Sequence, residues 1–292
     1  MMLTWINERR KHMKNPYGDV VLITGASSGI GKCTAERLAG SGMRVYGGSR
    51  RGGERRDFDG GGFIEPVVID VCDDASVDRA VARVIEREGR IDILINCAGM
   101  GICGAVEESS PHEAMRQMDT NYIGVLRMLT AVLPHMRKRR SGLVINIGSV
   151  GGIFSIPFQT HYSSSKYAVE ALTEGLRIEM KPWNVRAALV EPGDTKTSFT
   201  SSRIYAEKAK NSAYGEEFLR SVRQMERDEQ NGMSPERVVD VIVSVMRSKN
   251  PPVRRTVGAQ YKILVWLKRI FPSRALEAVL TMMYPKSNID AK

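Results

Sequence analysis

Apolar residues along the chain fall into short runs that alternate with stretches of helical spacing. Val20-Val21-Leu22-Ile23 is rich in β-branched residues, ends at Thr24-Gly25, and leads directly into a helical pattern over residues 29–38. That is a strand-turn-helix start. The alternation continues with strands near 43–47 and 66–71, a helix over 75–88, a strand at 91–95 and a long helix after Ser110. Strands that alternate with helices build a parallel sheet. Residues 143–147 and 185–190 are apolar runs broken only by Asn146 and Arg186, as strands covered on both faces require. The helix between them begins near His161. Ser110-Pro111-His112-Glu113 supplies an N-cap, a proline at N1 and a capping-box glutamate, and Ser234-Pro235-Glu236 repeats the first two. A helix over 235–246 and a strand at 253–257 complete the alternation. Residues 194–232 carry mixed charge without a clear strand and read as an insertion serving as a substrate lid.

With 292 residues, 42% of them hydrophobic and 26% charged, the chain matches one soluble α/β domain. The pattern divides it into a basic N-terminal extension (1–18), a catalytic domain (19–258, with the lid at 194–232) and an amphipathic C-terminal extension (259–292). The net charge of +10 suits a well-solvated surface as well as an anionic partner. No nucleic-acid motif accompanies the basic clusters at 50–56, 137–140 and 262–274, so no nucleic-acid partner is expected. The four cysteines, Cys33, Cys72, Cys97 and Cys103, lack zinc-ligand spacing; no metal is expected, and a cytoplasmic setting fits best. Neither a signal-peptide run nor a spanning stretch occurs.

Chemistry enters at Thr24-Gly25-Ala26-Ser27-Ser28-Gly29-Ile30-Gly31. Its glycines let a pyrophosphate approach the backbone, and the helix N-terminus offers free N–H donors. The spacing G-x-x-x-G-x-G resembles that of the short-chain dehydrogenase/reductase family, and further motifs extend the resemblance from Val20 to Thr197. The resemblance implies a Rossmann-type, doubly wound, seven-stranded parallel sheet with helices on both faces, assembled as homodimers or homotetramers. It also implies phosphate-binding roles for Gly25, Ser27, Ser28, Gly29, Ile30 and Gly31.

The second strand ends in Gly48-Ser49-Arg50-Arg51, where a carboxylate would select NAD. A guanidinium at Arg50 or Arg51 instead matches the 2′-phosphate of NADP(H). Asp70-Val71 resembles the family's adenine-contacting pair. Asn96-Cys97-Ala98-Gly99 resembles its N-N-A-G motif with cysteine in place of the second asparagine, which implies cofactor contacts at Asn96, Ala98 and Gly99. No basic residue stands near Cys97 in sequence to make it a nucleophile.

Tyr162 has a lysine four positions on, Lys166, so both side chains share one helical face. Ketone reduction needs a proton donor, and a free phenol exchanges protons poorly near neutrality; an adjacent ammonium is expected to make it more acidic. Ser149 follows an apolar strand and emerges at the carboxyl edge of the sheet, where ligands bind. The resemblance adds Asn121 as the fourth catalytic residue, positioning a water in a relay through Lys166, which would also hold the nicotinamide ribose. It further places Pro192, Gly193, Thr195 and Thr197 at the nicotinamide.

Met100, Ile102, Val150, Ile153, Phe154, Ile156, Pro157, Phe158, Phe199 and Tyr205 are expected to form an apolar substrate wall with few polar groups. That wall suits a hydrophobic secondary alcohol or ketone, a hydroxysteroid first. A 3-oxoacyl thioester or other lipid ketone is the alternative, and a binding protein without turnover is the rival of another class. Residues 261–271 mix apolar and basic positions before Pro272, the pattern of an interfacial helix making peripheral membrane contact, of a pocket cover or of a subunit interface.

Overall fold

The computed structural model describes residues 15–283; residues 1–14 and 284–292 of the two extensions lie outside the described residues. The chain runs β1 (Val20–Thr24), α1 (Gly29–Ala39), β2 (Arg44–Ser49), β3 (Arg56–Asp57), β4 (Phe63–Val68), α2 (Asp74–Glu88), β5 (Ile93–Asn96) and β6 (Ile102–Cys103). It continues through α3 (Pro111–Met118), α4 (Gly124–Arg139), β7 (Gly142–Ile147), α5 (Thr160–Met180), β8 (Val185–Pro192) and β9 (Ile204–Tyr205). It ends in α6 (Gly215–Gln230), α7 (Pro235–Arg247), β10 (Arg254–Val257), α8 (Ala259–Ile270) and α9 (Ser273–Met283).

The main sheet has the order β10-β8-β7-β5-β1-β2-β4-β3. Seven strands are parallel, as expected. The eighth, two-residue β3, is antiparallel to β4, and its length is too short for a hydrophobic period to reveal. The chain adds strands on one side of β1, then returns to add the rest beyond β5, which leaves a crevice at the carboxyl ends of β1 and β5. One face packs Leu22, Leu94, Val144 and Leu189 against α2, α4 and α5. The other packs Ile23, Ile95, Ile145 and Val190 against α1 and α7. β4 starts earlier than residue 66 because Phe63 stacks edge-on to Tyr46, with ring centroids 5.9 Å apart. The strand also ends earlier, at Val68, so Asp70 and Val71 lie past its end.

The segment 194–232 has more order than its mixed charge suggested. β9 pairs in parallel with β6, and Phe218, Val222 and Met225 of α6 join Ile102, Cys103 and Ala206 in a small separate core. The capping box at Ser110 and Glu113 forms as expected. Helix α8 is anchored through buried Tyr261, whose hydroxyl donates to Asp194. Lys268 turns inward to the Ile153 carbonyl and the Tyr167 hydroxyl. Ile263, Trp266, Ile270 and Phe271 remain exposed.

Candidate active site

The glycine turn makes a tight cradle at the start of α1. A Cβ on Gly25 (φ +70°) would lie 2.9 Å from the Ala98 backbone, and one on Gly31 would lie 2.3 Å from the Gly25 carbonyl oxygen. Only glycine fits either position. Thr24 Oγ1 accepts from the backbone N–H groups of Cys97 and Ala98, both at 3.1 Å, and so locks the ends of β1 and β5 together. Ser28 stands at the N-cap of α1 with no side-chain cap bond, leaving first-turn donors for an anion. Gly29 faces Thr197 across the cleft, and Ser27 is exposed.

Arg50 and Arg51 are exposed at the end of β2, and neither guanidinium has a partner among the described residues. Their neighbours differ: Arg55 pairs with Asp57 at 2.7 Å, and Arg56 with Glu36 at 2.9 Å. The Asp70 carboxylate accepts from Cys72 N–H at 3.0 Å, while Val71 packs under Gly124 of α4.

Ser149 follows β7, and Tyr162 sits in the first turn of α5. Ser149 Oγ accepts from Gly151 N–H at 3.0 Å, and a Cβ on Gly151 would lie 3.3 Å from that oxygen and 3.2 Å from the Tyr162 ring, so the two side chains converge there. Lys166 Nζ donates to the Ile147 carbonyl at 2.8 Å and lies 5.8 Å from the Tyr162 ring centroid. Burial pushes the Tyr162 phenol up to about 12, opposed by the neighbouring Ser149 hydroxyl, and pushes Lys166 down to about 8. The expectation of a more acidic phenol is therefore corrected: burial dominates, and it drives both groups toward their neutral forms.

Asn121 lies in a π-helical turn, Asp119–Ile123, between α3 and α4. Such a turn aims a side chain that a regular helix would bury elsewhere. Its Oδ1 accepts from Met100 N–H at 2.9 Å, and its Nδ2 donates to the Met100 carbonyl and to Ser165 Oγ, both at 3.0 Å. A Cβ on Gly99 would sit 3.5 Å from Asn121 Oδ1 and 3.9 Å from Lys166 Nζ, so both polar ends converge on Gly99.

Asn96 is not on the wall. It is buried and donates to Asn146 at 2.8 Å, which donates to Thr173 at 2.8 Å, tying β5 and β7 to α5 beneath the site. Ala98, Gly99, Pro192, Gly193, Thr195 and Thr197 do line the cleft. Burial pushes the Cys97 thiol up to about 11, the inert reading expected of it.

The cleft has a volume of about 250 Å³. Val150, Ile156 and Phe199 of the expected apolar wall border it, but so do Gln159, Asp194 and Glu229. Behind them Arg203, with a side chain only 1% exposed, pairs with Glu229. Gln159, its amide oriented to accept, takes a bond from Arg203 Nε at 3.0 Å. This polar cluster was not expected, since its members are as much as 70 residues apart and form no motif. Ile153, Phe154, Pro157 and Phe158 instead border a second hollow of about 490 Å³ beneath Leu276 and Leu280 of α9. Ile102 belongs to the small separate core around α6, with Met100 packed against it.

The family model described as short chain dehydrogenase matches residues 19–208. The 3-ketodihydrosphingosine reductase of Bacteroides thetaiotaomicron is 43% identical over 91% of this chain and 97% of its own length. Human 17-beta-hydroxysteroid dehydrogenase type 1 is 33% identical over 87% of this chain and 82% of its own. The crystal structure of a short chain dehydrogenase from Burkholderia cenocepacia in complex with NADP superimposes with a TM-score of 0.71. Its identity is 26%, covering 91% of this chain and 99% of that one. The chain belongs to the short-chain dehydrogenase family and is an oxidoreductase acting on CH–OH groups.

Proposed function

We propose that this enzyme uses NADPH to reduce the ketone of a long-chain lipid, 3-ketodihydrosphingosine being the first candidate. The observation that carries the substrate is the 43% identity to a reductase of that compound, over 97% of its length. The cofactor preference is supported by the unpaired guanidiniums of Arg50 and Arg51, beside a cradle only glycines can form. In this reading the N-terminus of α1, from Ser27 to Gly31, holds the pyrophosphate. Asp70 and Val71 border the adenine, Asn96 acts from below by holding the strand ends, and Ala98, Gly99, Pro192, Gly193, Thr195 and Thr197 frame the nicotinamide. NADPH, when bound, supplies a hydride to the carbonyl carbon.

The protein's part is to hold the substrate and deliver a proton. Ser149 Oγ hydrogen-bonds the substrate oxygen, and the Tyr162 hydroxyl gives its proton to that oxygen as the alcohol forms. Lys166 steadies the phenolate left behind, and Asn121 fixes the Met100 loop while orienting a water toward Lys166. The polar edge made by Gln159, Asp194 and Glu229 favours a substrate with a polar group near the ketone, while the hollow under α9 offers apolar surface for a chain. In the same reading, residues 194–232 cover the substrate, and the apolar groove between α4 and α5, about 520 Å³, mates two copies of the chain. The exposed apolar residues of α8 rest on a lipid surface facing the cytoplasm. No described helix is long and apolar enough to cross a membrane.

A hydroxysteroid substrate is the second reading, favoured by the 33% identity to the human hydroxysteroid enzyme. Following NADPH consumption with 3-ketodihydrosphingosine, a 3-oxoacyl thioester and a 17-ketosteroid separates these readings. The sphingoid ketone should give the highest kcat/KM, and faster turnover of either competitor would displace the proposal.

A further inference from the structure

Behind Lys166 lies a pair of acidic groups that the reaction as described does not use. Glu170 follows Lys166 by one turn of α5, and Glu191 sits near the end of β8; their side chains are 8% and 0% exposed. The two meet beneath the catalytic strand end: a Cβ on Gly148 would lie 3.2 Å from Glu170 Oε1 and 3.6 Å from Glu191 Cγ. Arg254 Nε donates to Glu170 Oε2 at 2.8 Å, and Thr256 Oγ1 donates to Glu191 Oε2 at 2.7 Å. Arg254 Nε also comes within 3.3 Å of Glu191 Oε1, without making a second hydrogen bond.

The remaining oxygens, Glu170 Oε1 and Glu191 Oε1, have no donor among the described residues, and Arg254 Nε, 2.8 Å from Glu170 Oε2 and 3.3 Å from Glu191 Oε1, brings the two buried carboxyl groups together at one point. Two carboxylate oxygens can bond only with a proton between them. The charges facing the pair are Lys166 and Glu174 from α5, Arg254 from β10 and Arg269 from α8. One guanidinium, itself shared with Glu174, cannot neutralise both buried carboxylates.

We propose that Glu170 and Glu191 share one proton directly behind Lys166, and that losing it as pH rises supplies the negative charge that keeps the lysine protonated. Both are positioning residues acting through Lys166, and the catalytic consequence rests on the reading of Lys166 given above. Burial and the neighbouring Glu191 raise the Glu170 carboxyl to about 7. Burial lowers Lys166 to about 8, and Glu170 is among the groups opposing that fall. The charge the pair gains on losing its proton opposes the lysine's own loss.

The test uses the full chain. In the cofactor-free protein, infrared difference spectra across pH should contain the carbonyl stretch of a protonated carboxylic acid at neutral pH. That band should be absent from both Glu170→Gln and Glu191→Gln, each close in shape to the protonated acid. A wild-type spectrum without the band overturns the proposal. Nitrogen-15 NMR of the Lys166 amine should titrate about one pH unit lower in Glu170→Gln, and the alkaline limb of kcat/KM should move the same way; an unmoved Lys166 titration also overturns it. If no ketone proves to be a substrate, the band and the amine titration still decide the matter, so the two failures are distinguishable.

Discussion

Replacing Lys166 by methionine should make the cofactor-free protein more stable while abolishing turnover. The ammonium is buried in the folded state, only 7% exposed, and burial moves it from 10.5 to about 8. At 1.4 kcal/mol per unit, that displacement costs the fold about 3 kcal/mol. Methionine has a similar length and no charge. Against the gain stands the lost bond to the Ile147 carbonyl, worth about 1 kcal/mol; the attraction to Glu170 is already contained in the displaced value. The net expectation is a gain of about 1–2 kcal/mol at pH 7, or roughly 2–4 °C in Tm for a domain of this size. The sign with pH follows from linkage. Below pH 8 the lysine is charged in both states and the penalty is complete. Between about 8 and 10.5 only the unfolded chain keeps the proton, so wild-type stability rises relative to the variant and the difference fades. Thermal unfolding followed by circular dichroism from pH 6 to 10.5 measures both quantities. A variant that melts at or below the wild type at pH 7, or whose advantage is independent of pH, would show that the lysine's burial is not costly and would refute the reasoning.

Three other outcomes are expected. Tyr162→Phe removes the hydroxyl while keeping the ring and should lower kcat by about 10²- to 10⁴-fold; NADPH affinity, read by fluorescence, should stay within about twofold, and retention of a tenth of the activity would exclude Tyr162 as the proton donor. Arg50→Ala should lower kcat/KM for NADPH by about 10- to 100-fold, the value of one charge-assisted phosphate contact, while NADH is little affected. Equal losses with both cofactors would remove Arg50 from 2′-phosphate recognition, and the same pair of assays on Arg51→Ala shows which guanidinium carries it. Wild-type protein should co-sediment with phosphatidylglycerol vesicles, and Trp266→Ser combined with Ile270→Ser should weaken that binding at least tenfold. Undiminished binding would mean that α8 is not the contact.

The alternation of strands and helices was legible because the central strands β1, β5, β7 and β8 are largely apolar and almost wholly buried. Tyr162, Lys166 and Ser149 were legible for a similar reason: the four-residue spacing and the strand-end position are local facts. What escaped the sequence is non-local. β6 and β9 are two residues each and exist only because they find one another. Arg203 and Glu229 are 26 residues apart, each resembling an ordinary surface charge until α6 folds the second over the first. Asn96 looked like a cofactor contact because it opens a motif, yet its partners lie inside the sheet.

The direction in which Tyr162 shifts was misjudged for a deeper reason. Sequence proximity to a lysine is visible, but burial is a property of the assembled cleft, and here it acts on both partners. It raises the phenol and lowers the ammonium, so in the isolated site the proton belongs on the tyrosine and the lysine is close to giving its own away. A reductase needs that resting state, since the phenol must arrive at the substrate oxygen still protonated. It must also make the phenolate tolerable once the proton has left, which requires a lysine that is still charged. Burial alone secures the first condition and undermines the second. The acidic pair behind Lys166 acts in the opposite sense, because its negative charge favours the ammonium that burial disfavours. Glu170 and Glu191 therefore reconcile a dry cleft with a charged lysine, which neither the motif nor the pocket accounts for by itself.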